Sequence, residues 1–440
     1  MRILILTQYY PPEIGAAQNR LSDLARRLTA AGHRVTVLTA MPNYPQGEIY
    51  SGYRGRFAKK ETDEGIGILR TWVYTTKEKS FLPRIINYIS FAFFALVLGC
   101  AAAEDADIVL TESPPLFVAG SGYLLSKAKR AKFVLNVSDL WPESAVALGI
   151  LHNRSLISLA RRLEEWLYDR AVVVAGQTQG IVDSISRRCN GKRVLLMTNG
   201  VSPEFLASAQ TAVASRESVR QEFGVKGKFV VGFPGLHGLV YRLDLMLEAA
   251  RNLAKQEDIH FILLGDGPEK GRLQEKAKLE RIDNVTFAGT LPAARMPNVL
   301  AAMDVMVIPL RRHDLFKGTL PSKLFEGMGA GVPIVGALEG EARQVIEAAQ
   351  CGICVEPENS AAMADAILSL YRDPELRMRL GENGRRYVAK HYNRKEIAAQ
   401  FEQILAEVCG TAKSASKAPE KSQLTELPNN DAVFTGQTRE

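Results

Sequence analysis

Lys323 and Glu326 carry the clearest chemistry in this chain. They lie in the stretch Gly318-Thr319-Leu320-Pro321-Ser322-Lys323-Leu324-Phe325-Glu326-Gly327-Met328-Gly329-Ala330-Gly331-Val332-Pro333. An apolar run at 305–310 precedes it and Ile334-Val335 follow. The pattern therefore predicts strand, loop, helix, glycine-rich helix end and strand. The helix start, at Ser322, Lys323 and Leu324, presents free N–H groups and the positive end of a dipole, which suits a phosphate. Glu326, about one and a half turns further on, can accept hydrogen bonds from sugar hydroxyls. A ligand with both a diphosphate and a sugar, as in a nucleotide sugar, needs both groups at that spacing.

Other candidates sit where loops leave apolar runs, the ligand side of open α/β sheets. Gly15 follows the first run and lets a ligand approach the backbone, or makes a plain turn. Asp139 and Trp141 follow the run at 133–137. Asp139 can orient a hydroxyl or accept a proton; it can equally be an N-cap. Trp141 can stack on a sugar or pack. Gly235, His237 and Arg242 follow the run at 229–233. Arg242, with Lys323, is a candidate cation for a leaving diphosphate, or a solvated helix-start residue. Gly265 opens a Gly-x-Gly turn, but the six-residue dinucleotide fingerprint is absent.

The 318–333 segment resembles the donor-site motif of retaining GT-B glycosyltransferases, family 4 in particular. That motif reads Glu, seven residues, Glu, then small residues and Pro. Glu326 and Gly329-Ala330-Gly331-Val332-Pro333 match it, while Gly318 stands at the place of the first Glu. Pro-Ser-Lys-Leu-Phe-Glu and Asp139-Leu140-Trp141-Pro142-Glu143-Ser144 resemble a bacterial surface-polysaccharide subgroup, and Asn199-Gly200-Val201 resembles the family's hinge-side motif. The resemblance implies a GT-B fold, with an acceptor-binding N-terminal domain (Gly15, Trp141) and a nucleotide-sugar-binding C-terminal domain. It places Gly265 on the nucleotide side and Thr290-Leu291 at the base. It also implies a UDP-sugar donor, a lipid-linked saccharide acceptor and retention, in O-antigen, capsule or exopolysaccharide synthesis. Asp139 and Glu326 are the expected catalytic pair. Asp105-Ala106-Asp107 matches the short metal-binding Asp-x-Asp of other glycosyltransferases, but it precedes a strand rather than ending one. It reads as a charged helix end, so neither metal nor cofactor is expected. A sugar-nucleotide epimerase and a non-catalytic nucleotide-sugar-binding protein remain as alternatives.

The elements that must position these residues are legible as alternation. Short apolar runs separated by helical patterns predict α/β architecture with parallel sheets. The pattern restarts near residue 228, giving two Rossmann-like doubly wound units facing a cleft. The expected division is 1–205 and 206–392, followed by a helix at 393–410 and a disordered tail at 411–440. Residues 201–224, polar and rich in Ala and Ser, read as the connection.

A formal charge of +7 allows nucleic acid, anionic membranes or anionic substrates. No nucleic-acid signature accompanies it. The five scattered cysteines suit a reducing cytoplasm; Cys351-Gly352-Ile353-Cys354 lies in an apolar run and reads as structural. Met1-Arg2 leads directly into an apolar strand, unlike a signal peptide. Residues 85–103 are mostly apolar and admit three readings: a buried core helix, a helix dipped into a membrane surface, or a span. Lys77, Lys79 and Arg84 before it, and Lys127, Lys129, Arg130 and Lys132 beyond the next helix, suit an anionic leaflet. The expected location is thus cytoplasmic, peripheral to the inner face of the plasma membrane.

Overall fold

The computed structural model describes residues 1–78 and 81–410. The tail expected at 411–440, and Lys79, lie outside them.

The first sheet contains β1 (Arg2–Leu6), β2 (Arg34–Ala40), β3 (Ala58–Asp63), β4 (Ile66–Thr71), β5 (Ile108–Ser113), β6 (Lys132–Val137), β7 (Val173–Gly176) and β8 (Val194–Leu196). Their order is β3-β4-β2-β1-β5-β6-β7-β8. All neighbours are parallel except β3 with β4. The second sheet contains β9 (Phe229–Pro234), β10 (Ile259–Leu264), β11 (Val285–Ala288), β12 (Val305–Pro309), β13 (Ile334–Ala337) and β14 (Gly352–Val355). It is ordered β11-β10-β9-β12-β13-β14 and wholly parallel.

Both faces of each sheet are covered, which explains the unbroken apolar runs. In β1, Ile3 and Ile5 join one core while Leu4 and Leu6 join another on the opposite face. In β9, Val230 faces one way and Val231 and Phe233 the other. Strand order reverses at β1 and at β9, so the loops leaving these strands border the crevice where such sheets bind ligands.

The chain passes between domains twice, side by side. Val201 N–H donates to the Tyr392 carbonyl at 2.9 Å, and Arg394 N–H donates to the Val201 carbonyl at 2.9 Å. The last helix, Arg394–Cys409, then returns to the first domain, where Ala398, Phe401 and Leu405 pack with Ile3, Leu21 and Leu24. The connection expected at 201–224 is largely helical, as Pro203–Thr211 and Arg216–Glu222. Ala209 is buried in the core of the second domain. Arg216 and Arg220 both bond Asp304, which also accepts the Val230 N–H at 2.7 Å. Buried Ala209 docks the first of these helices and Arg216 and Arg220 the second, so polarity misled the reading of a linker.

Residues 85–102 belong to a helix, Phe81–Ala102, which ends one residue short of the apolar stretch. Phe91, Ala92 and Ala95 pack against Leu38, Val118 and Leu125. Its opposite face is exposed, which overturns the fully buried reading.

Candidate active site

The Ser322–Ala330 helix begins after Pro321 and ends at Gly331, whose left-handed backbone (φ 72°) stops it. Leu324, Phe325 and Met328 anchor it in the core of the second domain. Its first N–H groups have no intrahelical acceptor, as at any helix start. Leu324 departs from expectation, because its side chain is core and its N–H already donates to the Pro321 carbonyl at 3.0 Å. Ser322 and Lys323 are left to offer their N–H groups.

Lys323 is buried, and its ammonium nitrogen has no hydrogen-bond partner. Nζ stands 3.4 Å from the centroid of the Phe233 ring and 4.0 Å from that of Tyr241. Two aromatic faces thus hold the cation where no carboxylate bonds it. Burial pushes its amine well below the usual lysine value, with Glu326 acting in the opposite direction. The carboxylate of Glu326, one turn on, makes no hydrogen bond among the described residues. It keeps some contact with solvent yet is hemmed in by protein. Burial raises its carboxyl, opposed by the charges of Arg394 and Lys323.

Gly235, Leu236 and His237 leave β9 and meet the turn that leaves β10. Gly265 has φ 121°, and a Cβ there would stand 2.0 Å from the Gly235 carbonyl oxygen, so only glycine fits. Gly265 N–H donates to the Ala288 and Gly289 carbonyls at 3.2 Å, drawing Thr290 and Leu291 beside it. Thr290 is exposed and Leu291 packs partly on the core. His237 is fully buried; neither ring nitrogen has a bonding partner, and burial lowers its pKa to about 4.

Two expected residues do not join this group. Arg242 donates to Glu358 at 3.1 Å and lies 4.0 Å from Asp244, so its charge is already matched. Trp141 packs edge-on to Phe117, 6.3 Å between centroids, at the rim of an N-terminal core cluster, and does not line the cavity between the domains.

The opposite wall is a bonded network. Arg20 donates to Glu112 at 2.7 Å and to the Ser138 hydroxyl at 2.9 Å. Asn136 donates to the other Glu112 oxygen at 2.5 Å, Ser138 bonds Glu112, and Gln177 lies 2.7 Å from Ser138. Arg20 and Glu112 are about 95% buried (5% and 4% exposed). Sequence reading missed both. The available signals were a Glu ending the apolar run of β5 and an Arg sharing the buried helix face of Leu21, Leu24 and Leu28.

Between the walls lies a cavity of about 480 Å³. Ser138, Asp139 and Gln177 line it from one side, and Leu315, Gly318 and Thr319 from the other. It stops just short of the Ser322–Ala330 helix and does not include Glu326 or Lys323. Asp139 is exposed at the edge of the cavity, yet the protein packed around it pushes its carboxyl up to about 6, against the pull of the Ser144 hydroxyl and Leu140 N–H. Gly15 caps the Ala16–Ala30 helix without lining the cavity.

Glu341 bridges the domains beside this cavity, accepting the Gln179 and Gly180 N–H groups at 3.0 and 3.2 Å. A Cβ at Gly318 would stand 3.3 Å from Gly180 Cα, so a side chain at 318 would press on the other domain. Among the described residues, no three His, Cys, Asp or Glu side chains gather as metal ligands. Asp107 bonds Arg2 through both main chain and side chain.

Known proteins share this fold. Residues 15–200 match the glycosyl transferase 4-like domain family, and residues 215–387 match glycosyl transferases group 1. A protein of Escherichia coli K12 described as the colanic acid biosynthesis glycosyl transferase WcaI is 25% identical over 415 residues, covering 91% of this chain and 98% of its own. Sucrose-phosphate synthase from Thermosynechococcus elongatus superposes with TM-score 0.72 at 17% identity, over 93% of this chain and 100% of its own. Anabaena HepE in complex with UDP-glucose gives 0.68 at 18%, over 92% and 100%. These matches set aside the epimerase alternative. With two parallel-sheet domains facing one cleft and a glycosyl transferase domain match in each half, the chain is a glycosyltransferase of GT-B type.

Proposed function

We propose that the chain transfers a sugar from a UDP-sugar to a hydroxyl of a lipid-linked saccharide, with retention, in the building of a bacterial surface polysaccharide. One observation carries the donor half of this reading: Lys323 is buried without a partner, beside a helix start and one turn from Glu326. A buried polar group left unbonded costs free energy unless a ligand completes it. A diphosphate does so. Its oxygens meet the Ser322 and Lys323 N–H groups and the ammonium, while the ribose hydroxyls meet the Glu326 carboxylate.

The reaction breaks the bond between the sugar's anomeric carbon and the diphosphate oxygen and joins that carbon to the acceptor oxygen. Negative charge grows on the departing diphosphate, where Lys323 and the helix dipole oppose it. The acceptor's proton passes to Asp139 on the facing wall, whose raised carboxyl is ionised only above about pH 6. Burial disfavours the charge of Lys323, and a diphosphate beside the ammonium offsets that cost. The HepE complex with UDP-glucose supports the choice of donor class. No metal ligand is assigned to this chemistry, and Lys323 fills the electrostatic role.

Incubation with UDP-sugars and a lipid-linked saccharide tests the proposal. We expect UDP release that depends on acceptor, with product mass raised by one sugar residue. Donor breakdown at the same rate with and without acceptor would contradict it, as would turnover with GDP-sugars alone.

A further inference from the structure

The Phe81–Ala102 helix has two unlike faces. Leu82, Ile86, Ile89, Phe93 and Val97 are spaced four, three, four and four apart and so share one face. They are between 42% and 66% exposed, and only 22% of the 82–102 stretch's most apolar window is buried. A core helix of a soluble domain would be mostly covered. The other face packs on the sheet through Phe91 and Ala95, so the helix is held lengthwise along the domain. Phe57, 61% exposed, extends the stripe. Its ring meets Phe94 edge-on at 4.9 Å.

Positive charge rims this surface. Arg84 is the single charged residue of the helix. Arg56, next to Phe57, and Arg84 are exposed and form no ion pair among the described residues. Arg54 lies 3.9 Å from Glu48, which also holds Lys77 at 2.8 Å. Lys129 has a different role: its ammonium caps the helix end, bonding the Ala103 carbonyl at 2.7 Å.

The stripe offers hydrocarbon without hydrogen-bonding groups, unlike most protein interfaces, and its cationic rim matches anionic headgroups. We propose that this helix lies in the surface of an anionic bilayer, with the stripe and Phe57 among the acyl chains and the arginines at headgroup level. The helix also points to the cleft. Asn87 accepts from Gln8, just past β1, at 2.6 Å and donates to the Tyr74 carbonyl, past β4, at 2.5 Å. The amino end of the membrane-lying helix is thus tied to the loop after β1 on the ligand side of the first sheet. A lipid-linked acceptor, the class assigned under the proposed function, would enter the cleft from that end.

Flotation of the full chain with phosphatidylcholine vesicles, with and without phosphatidylglycerol, tests this. We expect flotation that requires the anionic lipid and falls with salt. The triple variant Ile86→Ser, Ile89→Ser, Phe93→Ser should float roughly tenfold less while keeping its thermal midpoint and UDP affinity. If the triple fails to fold, Arg56→Glu with Arg84→Glu serves instead and should lose the preference for anionic lipid. Absence of flotation, wild-type flotation by either folded variant, or a lipid-free dimer abolished by the same changes would overturn the proposal. Loss of donor binding alone would strike the proposed function and leave flotation intact.

Discussion

On the N-terminal wall of the cleft, Arg20, Glu112, Asn136, Ser138 and Gln177 bond one another, with only one Asn136 oxygen left over. On the C-terminal wall, the Lys323 ammonium and both His237 ring nitrogens are buried without a bonding partner, and the half-buried Glu326 carboxylate makes no side-chain hydrogen bond among the described residues. Both walls hold buried polar groups, so burial alone does not mark a binding site. Unsatisfied bonding capacity does. A satisfied network stiffens the scaffold and holds Ser138 and Gln177 at the cavity. A wall with groups left over stores a cost that a ligand relieves.

The sharpest way to break this contrast is to remove one partner from each wall. Arg20→Met leaves Glu112 as an uncompensated buried charge, and we expect a loss of about 3–5 kcal/mol of folding stability in chemical denaturation. A loss below about 1 kcal/mol would show that the network is not structural. Glu326→Gln should behave oppositely. It keeps shape and removes a charge that burial already disfavours, so the thermal midpoint should stay or rise. Activity should fall about ten- to a hundredfold, corresponding to about 1.5–3 kcal/mol for a lost charged hydrogen bond. Wild-type kinetics with the nucleotide sugar would remove Glu326 from the site.

Asp139 supplies a smaller, pH-resolved effect. Its ordinary value is 3.8, and the folded chain holds it at about 6. Folding therefore disfavours its charged form; the associated stability is present below pH 3.8 and lost as pH rises through 6. Asp139→Asn should raise the thermal midpoint at pH 8 and leave it unchanged near pH 3.5. If the carboxylate accepts the acceptor's proton, the rate should climb with pH to a plateau with its midpoint near 6. In the variant that limb should vanish, whereas an unchanged pH profile would leave Asp139 a structural residue.

Much of this was legible in the sequence because it is local. Unbroken apolar runs identified strands buried on both faces, and Lys323 and Glu326 fall one turn apart by spacing alone. Contacts between distant residues were not. The aromatic cage of Lys323 comes from Phe233 and Tyr241, more than 80 positions earlier. Arg20 finds Glu112 across 92 positions, and Arg242 is neutralised by Glu358 across 116. A cation beside an expected phosphate site looks alike whether or not a distant carboxylate reaches it, so the ion pair of Arg242 with Glu358 could not be read from the sequence. Gly318 shows the same limit. Its departure from the family pattern gained a physical reason only when Gly180 of the other domain came to rest against it.

Lys323→Met removes the unpartnered ammonium while keeping the stem that packs on Phe233 and Tyr241. Calorimetric titration of both proteins with UDP in excess chelator tests the central claim most directly. We predict that the wild type binds UDP without metal. The variant should bind about tenfold or more weakly and melt no lower than the wild type. Equal affinities for the two proteins, or binding that appears only when a divalent ion is restored, would contradict the account.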